Sequence, residues 1–374
     1  MTDFFKKHTL ITGTLLLTAT GFATRILGFF YRIFLSRTIG AEGLGIYHMV
    51  HPIYGACFAL CAGSIQTAIS RFVAANVERG KQIFRTGLVI SLTLGLGLSA
   101  LIIRFSPFLA HSILMEDRCA PLLPFMAISV PFSAVHACLN GYYYGTQKTR
   151  VPALSQIVEQ TVRMAAVFLI ADILTESGRK ITVELAVTGH LIGELAACLF
   201  SVFCFCLSAP VSSQGSAPPA PDTKVSFPVS FRETALPLMA LALPLMGNRL
   251  VLNVLASLEA IWIPSRLQMS GLTAGDALAV YGVLTGMALP FILFPSAITN
   301  SMAVLLLPSI AQDQAAGRYQ SILSSIAMSL RYSMYMGIFS IGVFTLFGDT
   351  LGAGVFHNET AGFYIQVLAW LCPF

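Results

Sequence analysis

The sequence predicts an all-α polytopic membrane protein, on the strength of its composition and the length of its apolar runs. Of the 374 residues, 56% are hydrophobic and 10% are charged, and the mean hydropathy is +0.77. A typical soluble domain carries about 25% charged residues. The apolar residues form repeated runs of about 20 or more, the length of a membrane-spanning helix. A membrane β-barrel would show short alternating segments instead.

The first predicted helix covers about residues 9–36. Within the stretch Thr14–Arg37, the cations Arg25 and Arg32 lie inside an apolar run. One helical face collects small residues together with Arg25 and Arg32, and the opposite face is apolar. An arginine near the bilayer centre costs about 2.5–3.5 kcal/mol, and such groups mark substrate or ion pathways. Arg32 has the alternative of extending its side chain to the interface. Both arginines are candidate cavity cations.

Further helices are predicted on both sides of a change in composition at residue 208. A loop with three glycines at 38–45 precedes five helices at about 46–74, 86–110, 121–146, 152–174 and 182–207. Residues 208–232 are rich in Ser, Pro and Ala, which is typical of a linker. The helices after it are predicted at about 233–262, 278–311, 320–347 and from residue 360 onward.

A weak internal repeat relates the two halves. The matched positions are Ser36, Arg37 and Tyr47 in the first half and Ser265, Arg266 and Tyr281 in the second. Two helix sets in the same orientation around a central site are typical of a two-lobe transporter with parallel repeats. The sequence therefore predicts an N-lobe of helices 1–6 at 1–207, a cytoplasmic linker at 208–232 and a C-lobe of helices 7–10 at 233–374.

The distribution of basic residues predicts the orientation in the cell membrane. Of the 22 Lys and Arg, twelve lie in loops on the side of the N-terminus, six lie on the opposite side and four lie within helices. Cytoplasmic loops carry the excess of Lys and Arg, so the N-terminus is predicted to be cytoplasmic. The net charge is only +5, and no basic run is interleaved with aromatics, which indicates no nucleic-acid partner.

Two predicted helices carry polar pairs spaced by four residues. Glu159 and Arg163 on helix 5 either form an intrahelical ion pair or line the cavity. His190 and Glu194 on helix 6 either relay protons or bind a cation, or they form a hydrogen-bonded pair at a close helix contact. All four are candidates for ion coupling or pairing.

Helix 7 carries a cation and an acid after two prolines that favour a bend. Arg249 lies deep in the first helix of its half, as Arg25 does, and is the third candidate cavity cation. Glu259 has three alternatives: pairing with an arginine of the other lobe, binding H⁺ or Na⁺, or lying at the outer interface.

Catalytic and metal-binding motifs are missing from the sequence. It contains no phosphate-binding GxxxxGK[ST], no GxSxG and no HExxH. The eight cysteines include no CxxC pair and no Cys/His ligand spacing. The sequence therefore predicts a protein that is not an enzyme and has neither a cofactor nor a bound metal.

Three stretches resemble the stage V sporulation protein B family of the MOP superfamily. They are TRILGFFYRIFLSRTIGAEGLGIY at Thr24–Tyr47, NGYYYGTQKTRVPALSQIVEQTVR at Asn140–Arg163, and Ile263–Ala311. The superfamily includes lipid II flippases, Wzx-type O-antigen flippases and MATE drug exporters. The resemblance implies a V-shaped two-lobe bundle that moves undecaprenyl-pyrophosphate-linked saccharides outward, for cell wall or spore cortex. It also implies cavity arginines in helix 1, matching Arg25 directly and Arg32 with a one-residue shift.

The resemblance also sets out the partners and the alternatives. The expected partners are a lipid-linked anionic saccharide, membrane lipids and H⁺ or Na⁺. Family members have more helices than the about ten predicted here, so an incomplete second lobe is expected. The alternatives are a cation-coupled multidrug exporter, whose cavity would carry acids and aromatics, and an inactive truncated product. A third alternative is a membrane glycosyl transferase, which would need a large outer loop. A fourth is a sporulation scaffold that does not transport.

Overall fold

The computed structural model describes residues 2–207, 231–296, 299, 306, 310, 313–314 and 317–373, with side chains from residue 16 onward. Within these ranges the chain is helical and contains no strand, which confirms the all-α class. Seven described segments are long and apolar enough to cross a membrane, by length and composition. The predicted linker lies outside the described residues except for its last two positions, which belong to a helix.

The described helices form two blocks, one before and one after residues 208–230. The first block comprises α1 (Thr2–Phe58), α2 (Ser64–Ala75), α3 (Gly80–Phe108), α4 (Leu122–Gly145), α5 (Arg150–Glu176) and α6 (Glu184–Leu207). The second comprises α7 (Phe231–Met269), α8 (Ala274–Gly282), α9 (Leu289–Ile292), α10 (Tyr319–Leu351) and α11 (Glu359–Leu368). Turns of π-helix follow α1, α3, α8 and α10 at Ala59–Gly63, Leu109–Leu114, Val283–Ala288 and Gly352–Phe356.

Helix α1 turns back on itself at a single residue, Gly40. Its φ of 72° and ψ of 179° lie in a region that essentially only glycine adopts. Tyr31 before the turn and His51 after it both approach the same part of α6, at Gly189 and His190. The predicted loop at 38–45 is therefore wrong, because one glycine reverses the chain and helix continues on both sides.

Most of the other predicted helices are present with shifted ends. Helix 5 runs over Arg150–Glu176, and helix 7 is one continuous helix through its three prolines. Predicted helix 8 begins earlier, at Ala274, and passes through a π-helical turn into α9. Its remainder lies largely outside the described residues, so the helix count and the lobe boundaries stay predictions.

The two blocks meet along two seams. In the α1–α8 seam, Leu44 of α1 and Leu278 of α8 belong to one buried apolar cluster. In the α2–α7 seam, Ile65 and Ile69 of α2 share a second buried cluster with Leu238 of α7. Burial of apolar side chains from both blocks in the same clusters ties the blocks together.

Large apolar side chains on α10 point away from both clusters. Leu330, Phe339 and Leu346 each expose more than 60% of their surface. An extensive exposed apolar face marks a membrane or protein contact, and α10 is among the segments long and apolar enough to span. These helices support the predicted multi-pass membrane protein.

Polar contacts also join the blocks at the end of the bundle where Gly40 lies. The guanidinium of Arg37 donates from Nε to the carbonyl oxygen of Val355 at 2.8 Å and from Nη2 to that of Gly354 at 2.9 Å. Because the acceptors lie in the π-helical turn after α10, Arg37 bridges the first block to the second. The two blocks are therefore in direct contact at this end.

Within the first block, a second arginine reinforces the same end. Arg118, in the turn between α3 and α4, donates from Nε to Glu116 at 2.7 Å and from Nη1 to Glu42 at 2.6 Å. Hydrogen bonds to these two carboxylates raise the pKa of the Arg118 guanidinium above its ordinary value. The pair with Glu42 fixes the α3–α4 turn to the α1 segment that follows Gly40.

Candidate functional site

A cavity of about 560 Å³ lies between α1 and the segment that runs from α8 to Ser296. Its lining is Thr24, Arg25, Gly28, Phe29, Arg32, Gln160, Thr285, Leu289, Pro290, Leu293, Phe294 and Ser296. Residues of both blocks contribute, so the cavity lies at the boundary between them. It contains two of the three predicted cavity cations.

One wall of the cavity is cationic. Arg25 and Arg32 are seven residues apart, which is close to two helical turns, so both point from the same face of α1. Both side chains are exposed to the cavity. Among the described residues, no carboxylate lies within ion-pair distance of either guanidinium. Gln160 of α5 adds an amide that can donate and accept hydrogen bonds.

The opposite wall is largely apolar. Leu289, Pro290 and Leu293 line it from the second block. The ring of Phe29 on α1 lies 5.2 Å from that of Phe294, centroid to centroid, which continues the apolar surface across the boundary. The cavity therefore suits a molecule with an anionic group and an apolar portion.

A separate network of buried polar groups lies inside the first block. The Tyr54 hydroxyl donates to Glu194 Oε1 at 3.2 Å and contacts Ser133 Oγ at 2.7 Å. His136 Nδ1 is 3.9 Å from Glu194 Oε2, and its Nε2 is 3.0 Å from Ser155 Oγ. All five residues are buried. This arrangement surrounds one carboxylate with groups that exchange protons or accept hydrogen bonds.

Several buried polar atoms in and around this network have no hydrogen-bond partner among the described residues. They are Tyr31 OH, Asn140 Oδ1, Arg163 Nε and His190 Nε2. The His190 ring packs edge-on against Tyr54, with centroids 4.6 Å apart. An unpaired polar group is costly inside a membrane protein. Each of these atoms can therefore form a hydrogen bond with a water molecule.

Helix α5 contributes to both the cavity and the buried network, which contains its Ser155. Gln160 points into the cavity. Glu159 and Arg163 form an ion pair one helical turn apart, and Arg163 Nε would lie 3.0 Å from a Cβ at Gly193 of α6. The pair is thus turned towards α6 and the network, and it does not line the cavity.

The structure places the remaining predicted residues elsewhere. Arg249 lies on α7 against α2, where Nη2 donates to Thr67 Oγ1 at 3.4 Å, and it is not among the described cavity lining. Glu259 is exposed on α7. The functional roles of both residues stay predictions. Within the described part of the chain, no group of His, Cys, Asp or Glu has the arrangement of a metal site.

Tyr54 and His136 of the network and Gln160 of the cavity were not among the candidate site residues. Tyr54 and His136 come from different helices, and only the fold brings them to Glu194. Gln160 follows Glu159 directly, so helical periodicity places the two side chains on different faces of α5 and does not indicate which of them faces a cavity. The one available signal was the spacing of four between His136 and Asn140, which places both on one face of α4.

Comparison with known proteins gives matches along almost the whole chain. The model of the family described as polysaccharide biosynthesis protein matches residues 10–314. Stage V sporulation protein B of Bacillus subtilis (strain 168) is 30% identical over 373 residues, covering 97% of this chain and 70% of that protein. Lipid II flippase MurJ of the same organism is 22% identical over 388 residues, covering 97% and 69%.

Solved structures show the same fold. An inward-facing multidrug resistance MATE family transporter of the MOP superfamily has a TM-score of 0.63 at 14% identity, covering 96% of this chain and 82% of that one. A MOP superfamily transporter from Pyrococcus furiosus, whose binding pocket is described as having reverse polarity, has a TM-score of 0.58 at 12% identity, covering 97% and 80%. These similarities show that the chain shares the all-α fold of these two transporters.

Proposed function

Because the chain belongs to the polysaccharide biosynthesis protein family, we propose that it is a flippase for an undecaprenyl-pyrophosphate-linked saccharide. It moves this lipid from the cytoplasmic to the outer leaflet, for assembly of cell wall or spore cortex. The observation that carries the proposal is the cavity in which Arg25 and Arg32 face an apolar wall at the boundary of the two blocks.

The chemistry of the cavity fits the three parts of such a lipid. Arginine binds pyrophosphate oxygens through pairs of charge-assisted hydrogen bonds, which supports Arg25 and Arg32 as the phosphate ligands. Gln160 and Thr285 line the same cavity and can bind saccharide hydroxyls. The prenyl chain would extend past Leu293 and Phe294 into lipid.

The proposed direction follows from charge. The excess of Lys and Arg in loops on the N-terminal side favours a cytoplasmic N-terminus. An inside-negative potential assists outward movement of an anion, by about 2.3 kcal/mol per charge per 100 mV. Outward transport of a pyrophosphate-linked lipid therefore runs with the membrane potential.

A multidrug exporter of the same superfamily is the second candidate, favoured by the similarity to MATE structures. A cavity for cationic drugs would need carboxylates. The described lining contains two arginines and no acid. The charge of the cavity therefore supports an anionic substrate over a cationic drug.

The test is a flipping assay with the purified chain in liposomes. The liposomes carry an undecaprenyl-pyrophosphate-linked saccharide with a fluorescent headgroup, and an impermeant quencher reports its exposure in the outer leaflet. We expect protein-dependent exposure of this lipid and none of a phosphatidylcholine that carries the same label. Exposure no faster than in protein-free liposomes would contradict the proposal.

Resetting of the empty carrier is proposed to use a proton on the network around Glu194. Its carboxylate contacts Tyr54 and His136, and the unpaired atom of His190 lies beside them. Glu159 and Arg163 adjoin the network through α6, and Na⁺ is the alternative coupling ion.

Replacing Glu194 by glutamine is expected to abolish the response of flipping to an imposed pH gradient. Glutamine keeps an acceptor for the Tyr54 hydroxyl but does not titrate. The measurement is the flipping rate in liposomes with and without a pH gradient. Glu176→Gln, at the exposed end of α5, is the matched control and should respond as the wild type does. An equal response in Glu194→Gln would exclude Glu194 as the proton site.

A further inference from the structure

Two polar side chains of α7 fit into gaps that glycines leave on the facing segment of the first block, which runs from the end of α1 through a π-helical turn into α2. A Cβ added to Gly63 would overlap Nη1 of Arg249, and a Cβ added to Gly55 would overlap Oδ1 of Asn253. The two glycines lie eight residues apart, and the two polar residues lie four apart on α7. The α2–α7 seam, together with the end of α1 that continues it at Gly55, therefore has two polar contacts that depend on the absence of a Cβ.

The Arg249 side chain contacts both α2 and the π-helical turn that precedes it. Its Nη2 donates to Thr67 Oγ1 at 3.4 Å, and Gly63 ends the π-helical turn Ala59–Gly63. Among the described residues, no carboxylate is within ion-pair distance of Arg249. The contact on α2 is thus what positions this guanidinium.

Asn253 is held by its own helix. Its Nδ2 donates to the carbonyl oxygen of Arg249 at 2.8 Å, which leaves Oδ1 facing Gly55. Because the amide is fixed in this way, Asn253 and Arg249 form one rigid polar edge on α7. In the observed register, these two side chains face the gaps at Gly55 and Gly63.

The apolar part of the α2–α7 seam fixes the register of the two helices less strictly than these polar contacts do. Leu238, Ala242 and Met246 of α7 pack with Ile65 and Ile69 in a buried apolar cluster. Apolar side chains tolerate sliding better than polar ones, because dispersion contacts are not directional. A polar residue at an apolar helix interface can fix the register of the two helices.

We propose that Arg249, together with Asn253, is a positioning residue that sets the register of α7 on α2 and so holds the α2–α7 seam closed. With this seam closed, the described cavity lies at the other boundary, between α1 and α8–α9. The role does not depend on which molecule the cavity binds. It assigns to Arg249 a contact between helices that its position on α7 alone did not indicate.

The test is hydrogen–deuterium exchange, read by mass spectrometry, on the purified full chain in detergent without substrate. Arg249→Ala and Gly63→Ala should each give several-fold faster exchange in residues 55–67 and 246–257. Arg249→Lys, which keeps a long cationic donor for Thr67, should retain most of the protection. In the double variant Gly63→Ala/Arg249→Ala the overlap with the guanidinium is gone and the closest remaining contact of the added Cβ is the ring of Phe58, at 2.9 Å, so the effects of the two single substitutions should be less than additive.

A matched control lies on the same helix. A Cβ at Gly247 would meet nothing within 4 Å, so Gly247→Ala should leave exchange in the seam unchanged. Asn253→Ala is a second variant of the seam itself and should loosen residues near 55. Wild-type exchange in both single variants, or additive effects in the double variant, would overturn the proposal.

Faster exchange spread equally over α4, α5 and α6 would also overturn the proposal, because it would indicate general loosening of the fold. The measurement contains no lipid-linked saccharide. Its outcome is therefore independent of the flipping assay, and a failure of either experiment leaves the other interpretable.

Discussion

Replacing Arg25 by alanine is expected to slow flipping of the fluorescent pyrophosphate-linked lipid by about 10- to 100-fold, since a hydrogen bond to a charged group contributes about 1.5–3 kcal/mol. Arg25 is exposed to the cavity, and the described structure offers it no carboxylate, so its charge is available to the substrate. The rate in liposomes, normalised to the amount of folded protein, measures the effect.

Three further variants separate phosphate binding from general damage. Arg32→Ala should also slow flipping, and the double variant should approach the protein-free rate. Arg25→Lys keeps the charge but loses the forked hydrogen bonds, so it should be intermediate. Arg104 is an exposed cation of α3 that lies over the ring of Phe105, outside the described cavity lining. The Arg104→Ala variant should therefore flip the lipid at the wild-type rate. Normal flipping by Arg25→Ala would remove the cavity from the proposed pathway.

Replacing Gly282 by alanine is expected to destabilise the α1–α8 seam by about 1–3 kcal/mol, the cost of overpacking a close contact. A Cβ at Gly282 would overlap the carbonyl oxygen of Ala41 and lie 2.6 Å from the backbone nitrogen of Gly45. Backbone atoms cannot move aside as a flexible side chain can, so the helices must separate. The midpoint of thermal unfolding in detergent should fall.

Gly97 provides the matched control for this substitution. It lies within α3, and a Cβ there would meet nothing within 4 Å. Gly97→Ala should therefore keep or raise the unfolding midpoint, because alanine favours helix over glycine. If Gly282→Ala unfolds at the wild-type temperature, the close approach of α1 and α8 is not a determinant of stability.

The features predicted well from the sequence depend on local rules. Runs of apolar residues indicate spanning helices through length alone. The common face of Arg25 and Arg32 follows from helical periodicity, and both residues line the same cavity in the structure, while their role in binding stays a prediction. The spacing of Glu159 and Arg163 permits an ion pair within one helix, and that pair is present.

The features that escaped prediction depend on contacts between helices. Nothing next to Arg249 in the sequence indicates Gly63 and Thr67, which meet it only because α7 packs on α2. Tyr54 is an ordinary aromatic residue until α4 and α6 bring Ser133 and Glu194 to its hydroxyl. Such side chains acquire a role only through tertiary packing, which periodicity does not encode.

The reversal at Gly40 has a mechanical consequence. Only one residue connects the two helical arms of α1. Because no flexible loop lies between them, the arm that carries Arg25 and Arg32 cannot move along its axis without displacing the arm that carries Gly55. The first arm lines the cavity, and the second faces Asn253 of α7. Gly40 therefore joins the arm that lines the cavity to the arm that contacts α7 without any intervening loop.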